Sequence, residues 1–148
     1  MTIWYLNSIA GSTANGGTAE NDALASFSGV MTAGFTGGDV MYVKGGGATY
    51  AGYDWYTWPG DLRATMVSGY TVTPGDNCSD GSEPPRVIGS NSVSLRPGDS
   101  MNIENFIMEL DMSPSPWGGV IDIGGKYGCF SRNITVHIKD TYTGGNRS

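Results

Sequence analysis

Residues 36–47 read "TGGDVMYVKGGG". One short apolar strand is fenced by glycine runs on both sides. Alternation puts Val40 and Tyr42 on one face and Met41 and Val43 on the other. All four are apolar, so the strand is expected to be buried on both sides or covered by the helix before it. The fold is therefore decided by what lies to either side.

Upstream, "IWYL" (3–6) reads as a short apolar strand and "NSIAGSTANGGTAEN" as a turn-rich loop. Residues 22–33, "DALASFSGVMTA", carry a helical period. Leu24, Phe27, Val30 and Met31 share one face, Asn21 is the expected N-cap and Gly34 the stop. Downstream, "YAGYDWYTWPGDL" packs aromatics among turn residues, "RATMVSGYTVT" predicts one or two short strands, and "TPGDNCSDGSEPP" is a loop by composition. From Arg86 onward short β-like segments recur: "RVIGS", "SVSLRP", "SMNIENFIMELD", "GGVIDIGG" and "CFSRNITVHIKD". None is followed by a two-residue hairpin signal, which points to winding rather than to hairpins.

Two segments align with each other. "NFIMELD" (105–111) and "NITVHIKD" (133–140) both open on Asn and alternate. Phe106, Met108 and Leu110 would face in, as would Ile134, Val136 and Ile138; Ile107 and Glu109, or Thr135 and His137, would face out. Asn105 and Asn133 then sit at tight bends, where Asn tolerates the left-handed conformation and satisfies backbone groups. A repeat of this length made of short strands is a solenoid signature.

Composition agrees with a turn-rich β protein. Gly supplies 24 of 148 residues and charged residues only 15%, below the usual share of about a quarter. Four Trp, eight Tyr and four Phe still need burial, which argues against disorder. The net charge of −6 comes with scattered Lys and Arg, against a nucleic-acid or anionic-membrane partner. No apolar run reaches membrane-spanning length. The N-terminus lacks the basic and apolar regions of a signal peptide, so synthesis in a cytoplasm is expected. Cys78 and Cys129 are then expected to be free thiols, and the sequons at Asn77, Asn133 and Asn146 chance occurrences.

In order along the chain, these pieces resemble the right-handed parallel β-helix of the pectin-lyase-like superfamily. "IWYLNSIAGSTANGGT" resembles its opening strand and Gly/Asn loop, "NDALASFSGV" its N-terminal capping helix, and "GGDVMYVKGGGATYAG" its first full rung. "SEPPRVIGS" resembles the second rung, and the segments from Ser100 the Asn-bearing later ones. The resemblance spans most of the chain except about 50–80. It implies a single all-β domain over 1–148: first strand, loop and capping α-helix over 1–36, then three or four rungs over 37–148, with an aromatic-rich excursion about 50–85. A jelly roll or other antiparallel sandwich is the alternative architecture. The chain departs from the family in its short coil. It also ends at "TYTGGNRS" with no apolar helix over the last rung, so a longer chain or a partner is expected to cover that end.

The family's enzymes use clustered carboxylates. Here Asp111 and Asp140 follow strands and Asp122 lies within one, but no Asp-Asp, Arg or Lys set matches, and the residues read as turn formers. His137 stands alone, without metal-ligand spacing. "GGGATYAG" lacks a phosphate loop's Lys-Ser/Thr ending, and no G-x-S-x-G occurs. No catalytic, metal or cofactor site is expected. The unusual feature is "YDWYTWP". Tyr53, Trp55, Tyr56 and Trp58, with Trp117 in "SPSPWGG", read as an interface or a local mini-core, and behind these as a sugar-stacking platform. By analogy with the resemblance, the expectation is a non-enzymatic bacteriophage virion protein. Its most specific form is a capsid decoration (cement) protein acting as a homotrimer on the major capsid protein or another virion protein. The alternatives are a carbohydrate-binding or carbohydrate-cleaving tailspike or adhesin, with a glycan as partner, or the virion-anchoring part of a longer fibre.

Overall fold

The computed structural model describes residues 1–54, 61–90, 93–96, 98–111, 119–121, 128 and 130–139. They form a mostly parallel, curled β structure with little helix. The strands are β1 (Ile3–Leu6), β2 (Val40–Lys44), β3 (Thr49–Ala51), β4 (Tyr53–Asp54) and β5 (Met66–Tyr70), then β6 (Arg86–Ser90), β7 (Val93–Arg96), β8 (Asn102–Asp111), β9 (Gly119–Ile121) and β10 (Phe130–Lys139). The α-helix α1 spans Phe27–Ala33.

Pairing runs in ladders that the chain revisits. In the first, β1 pairs β2, β2 pairs β5, β5 pairs the start of β8, and β8 pairs β10, all parallel. In the second, β3 pairs β6 and β6 pairs the far half of β8, again parallel. In the third, β4 pairs β7 and β7 pairs β9. Among the described residues the one antiparallel pairing is Ser90 of β6 with Val93 of β7. The two segments aligned by sequence are in register, Phe106 beside Ile134 and Met108 beside Val136.

Inward residues stack in columns. Trp4, Met41, Val67 and Ile103 occupy one, and Tyr50, Val87, Met108 and Val136 another. Met41, Val67, Val87 and Met108 are wholly buried. Parallel registry puts like beside like on successive strands, so one apolar position per strand builds a continuous core.

The opening strand is not covered on both sides. Met41 and Val43 are buried, whereas Val40, Tyr42 and Lys44 stay half-exposed on the outer face. The reason is that α1 packs not on that face but with the interior: Phe27, Val30 and Met31 join Trp4 and Leu6 in the core. The helix is also shorter than the periodicity suggests. Ser26 is its N-cap, accepting from the Gly29 amide at 3.2 Å, while Ala23 is extended. Leu24 bridges Leu6 in parallel instead. Residues before the helix thereby occupy the outer edge of β1. The Tyr5 amide donates to Gly17 O at 2.8 Å, Leu24 N to Tyr5 O at 3.0 Å and Asn7 N to Leu24 O at 2.8 Å. Gly34 ends the helix at φ 116°, a conformation an L side chain resists.

Candidate functional site

Of the aromatic candidates, Tyr53 falls among the described residues; Trp55, Tyr56, Trp58 and Trp117 lie outside them. Tyr53 sits on β4 and packs against the core, its ring 6.3 Å from that of Phe27. Phe27 in turn lies 5.6 Å from Tyr50. Phe27, Tyr50 and Tyr53, with Ser28 and Thr49, wall a groove of about 210 Å³. The Tyr50 hydroxyl donates to Lys44 O at 2.8 Å and accepts from the Ser8 amide at 3.2 Å. Burial pushes its pKa up to about 12, which suits a structural tether and not an acid–base group at neutral pH.

The asparagine bends form a second feature. Asn105 and Asn133 adopt φ 62° and 52°. The Asn133 side-chain amide donates to Asn105 Oδ1 at 2.8 Å, and that of Asn105 to Asn77 Oδ1 at 3.2 Å. Each carboxylate flanking the bend meets a cation. Glu104 accepts from Arg132 Nε and Ser68 Oγ, both at 3.0 Å. Glu109 lies 2.8 Å from Arg86, which also meets Glu83 at 3.6 Å and His137 Nδ1 at 3.4 Å. Asp111 closes β8, and Asp122 and Asp140 are outside the described residues. Among the described residues no group of three or more His, Cys, Asp or Glu is placed to hold a metal ion.

Two carboxylates missed by sequence reasoning shape the fold. Asp39, buried just before β2, accepts from Thr2 N at 2.6 Å, Trp4 Nε1 at 3.0 Å and Thr36 N at 3.2 Å. Burial alone would raise its pKa, but those donors, led by Trp4, hold it below the usual value. Asp76 gathers the amides of Thr71, Val72, Thr73 and Cys78. Burial opposes ionisation there too, and the amides outweigh it, holding the carboxyl at about 2. The signal in "TPGDNC" was an Asp two residues after Pro, a turn-closing position. Cys78 carries a free thiol; burial first, then Asp76 and Asp80, push it up to about 11, so it is a poor nucleophile. Cys129 lies outside the described residues.

A third feature is the outer face of the first ladder. Ile3, Val40 and Met66 lie side by side on β1, β2 and β5, as do Tyr5 and Tyr42. The Tyr5 and Tyr42 rings are 6.1 Å apart. Beside them Tyr70 is buried, donating to Glu20 Oε1 at 2.9 Å under the Lys44 ammonium, 4.8 Å from its ring centre.

No protein-family model, curated protein or solved structure matches the chain. Among the described residues no helix is long and apolar enough to cross a membrane.

Proposed function

We propose that the chain is a short right-handed parallel β-helix, of the pectin-lyase-like kind, serving as a non-enzymatic structural protein of a tailed-phage virion. Its most specific form is a capsid decoration protein that acts as a homotrimer and cements the shell. The ladders favour the β-helix over a sandwich, because among the described residues nearly all pairing is parallel and each ladder is revisited in sequence order. The observation that carries the functional reading is the unequal ends of the core. At β1 the outer edge is taken up by Gly17 and Leu24. At β10 the column of Val87 and Met108, both 0% exposed, ends among the described residues on Val136 at 48%. A solenoid end of that kind gains from a neighbouring chain that removes apolar surface and strand edge from water. The carboxylates flanking the asparagine bend are engaged in structural ion pairs, which favours scaffolding over catalysis.

The test is light scattering behind a sizing column, followed by sedimentation of the purified chain with phage shells stripped of minor proteins. A trimer that co-sediments is expected. A monomer that ignores the shells overturns the reading. The second reading, a glycan-binding virion protein, is favoured by the groove beside Phe27, Tyr50 and Tyr53. Binding to host surface polysaccharide, abolished by Tyr53→Ala, would establish it instead.

A further inference from the structure

Asp39 is a buried carboxylate that touches only neutral donors among the described residues. It is 3% exposed. Its Oδ1 accepts from the Thr2 amide at 2.6 Å, closer than an ordinary amide–oxygen bond. Its Oδ2 accepts from Trp4 Nε1 at 3.0 Å and from the Thr36 amide at 3.2 Å. A buried Asp is ordinarily paired with a cation. Here no Lys or Arg among the described residues pairs with it. The segment packed beside it supplies Asp61 and Arg63, through Gly37 N to Asp61 O and Gly38 N to Arg63 O. Arg63 is taken by Asp61 at 2.8 Å and also feels Asp99. The amine of Met1 is the one charge that favours ionisation of Asp39, and it contributes least.

Thr2 is fixed independently of the residue before it. Its carbonyl accepts from Val40 N at 3.0 Å, and β1 continues the pairing with β2 from Ile3 onward. Met1 is 91% exposed, and Thr2 is exposed as well. Loss of Met1 would therefore leave the Thr2 nitrogen where it is, against Asp39 Oδ1.

We propose that the chain is processed at the Met1–Thr2 bond, and that the ammonium freed on Thr2 pairs with Asp39 and locks the start of β1 onto β2. The step is a hydrolysis by an aminopeptidase. Water adds across the bond between the Met1 carbonyl carbon and the Thr2 nitrogen. Its oxygen goes to the Met1 carboxylate and its two protons to the Thr2 nitrogen. Thr is small enough to suit aminopeptidases that release Met ahead of short side chains. A cut after Met1 by an endopeptidase would free the same nitrogen, whatever stood before it. The new contact keeps an N–H on Oδ1 and adds a full charge, and a charge-assisted bond is roughly twice as strong as a neutral one. Because Thr2 is exposed, the ammonium keeps water on its open side, and the desolvation that weakens buried pairs is small.

The intact mass of the chain produced in a bacterial cytoplasm gives the first result. Loss of one methionine is expected, and a retained Met1 overturns the processing. Urea unfolding at neutral pH then compares three chains. One retains Met1, from cells with the aminopeptidase inhibited. One begins at Thr2 with a free amine. One begins at Thr2 with that nitrogen acetylated, which keeps an N–H and removes the charge. The free-amine chain is expected to exceed both others in folding equilibrium constant by at least about fivefold. An ammonium stabilised in the fold contributes fully below the ordinary α-amine value of about 8 and is lost as pH rises past it, so the gain should fade above about pH 9. Asp39→Asn should bring the three chains together. Should that variant fail to fold, the acetylated chain decides. A free-amine chain no more stable than the acetylated one, or a gain that persists at high pH, overturns the ion pair.

Discussion

Asn105 is 2% exposed and holds φ 62°, a backbone region that a residue with a Cβ enters at a cost. Its side chain repays that cost by receiving Asn133 and donating to Asn77. The bend is also crowded from the preceding strand: a Cβ on Gly69 would come within 2.0 Å of Asn105 O. Two contributions are therefore separable at one position. Asn105→Gly keeps the backbone at ease and loses the hydrogen bonds, about 1–2 kcal/mol for a buried polar cluster. Asn105→Ala loses the bonds and adds strain of about 1 kcal/mol or more. Urea denaturation should rank wild type above Gly and Gly above Ala. Equal stability of the Gly and Ala variants would mean that the left-handed backbone carries no strain.

Along one column, neighbouring elements give unequal returns for the same truncation. Met108 on β8 is 0% exposed and Val136, beside it on β10, is 48% exposed. Met108→Ala should cost about 2–5 kcal/mol. Val136→Ala should cost under about 1 kcal/mol in the dissociated chain, because little apolar surface is withdrawn from water there. Similar losses at both positions would show that β10 is covered as β8 is. The pairing of these two strands was legible in the sequence, since Asn-led alternation at 105 and 133 fixes their register; the exposure expected of Ile107 was not borne out, for it is 6% exposed. The cover over β10 was not legible, because burial depends on what lies above a strand, and alternation is silent on that. The helix start was misread for a related reason. Leu24 fits the helical face of Phe27, Val30 and Met31, yet it bridges Leu6, and a tertiary backbone pairing outranks a local period. Of the candidate surfaces, Tyr53 was visible as an aromatic in a polar run. Tyr5 and Tyr42 were not, because their adjacency comes from β1 pairing β2 across the intervening loop and helix.

At the scale of the whole molecule, the ladders make stability a sum over successive turns, with the ends weakest. Acid should attack it through the loops that tie turns together. Asp39, Asp76 and Asp80 all have folded-state pKa values below the ordinary carboxylate value, Asp76 at about 2. Each depressed value means that the unfolded chain takes up protons first. Their contribution is thus complete above about pH 5 and is lost as pH falls through about 4 toward about 2. Urea midpoints should be flat from neutral pH to about 5 and then fall, and Asp39→Asn should shrink the fall by lowering the neutral-pH plateau. A midpoint that rises on acidification would contradict the assigned hydrogen bonds. Hydrogen exchange then resolves where the molecule opens. Amides of β2 and β5, flanked on both sides by paired strands, should exchange only with global unfolding. Those of β10, paired on one side by β8 among the described residues, should exchange through local opening, at least about a hundredfold faster. If a neighbouring chain covers β10 in the assembled particle, its protection should rise toward that of β5 on assembly while β2 stays unchanged. Protection of β10 equal to that of β5 in the isolated monomer would show that the last rung is already closed, and would remove the main reason for placing a partner there.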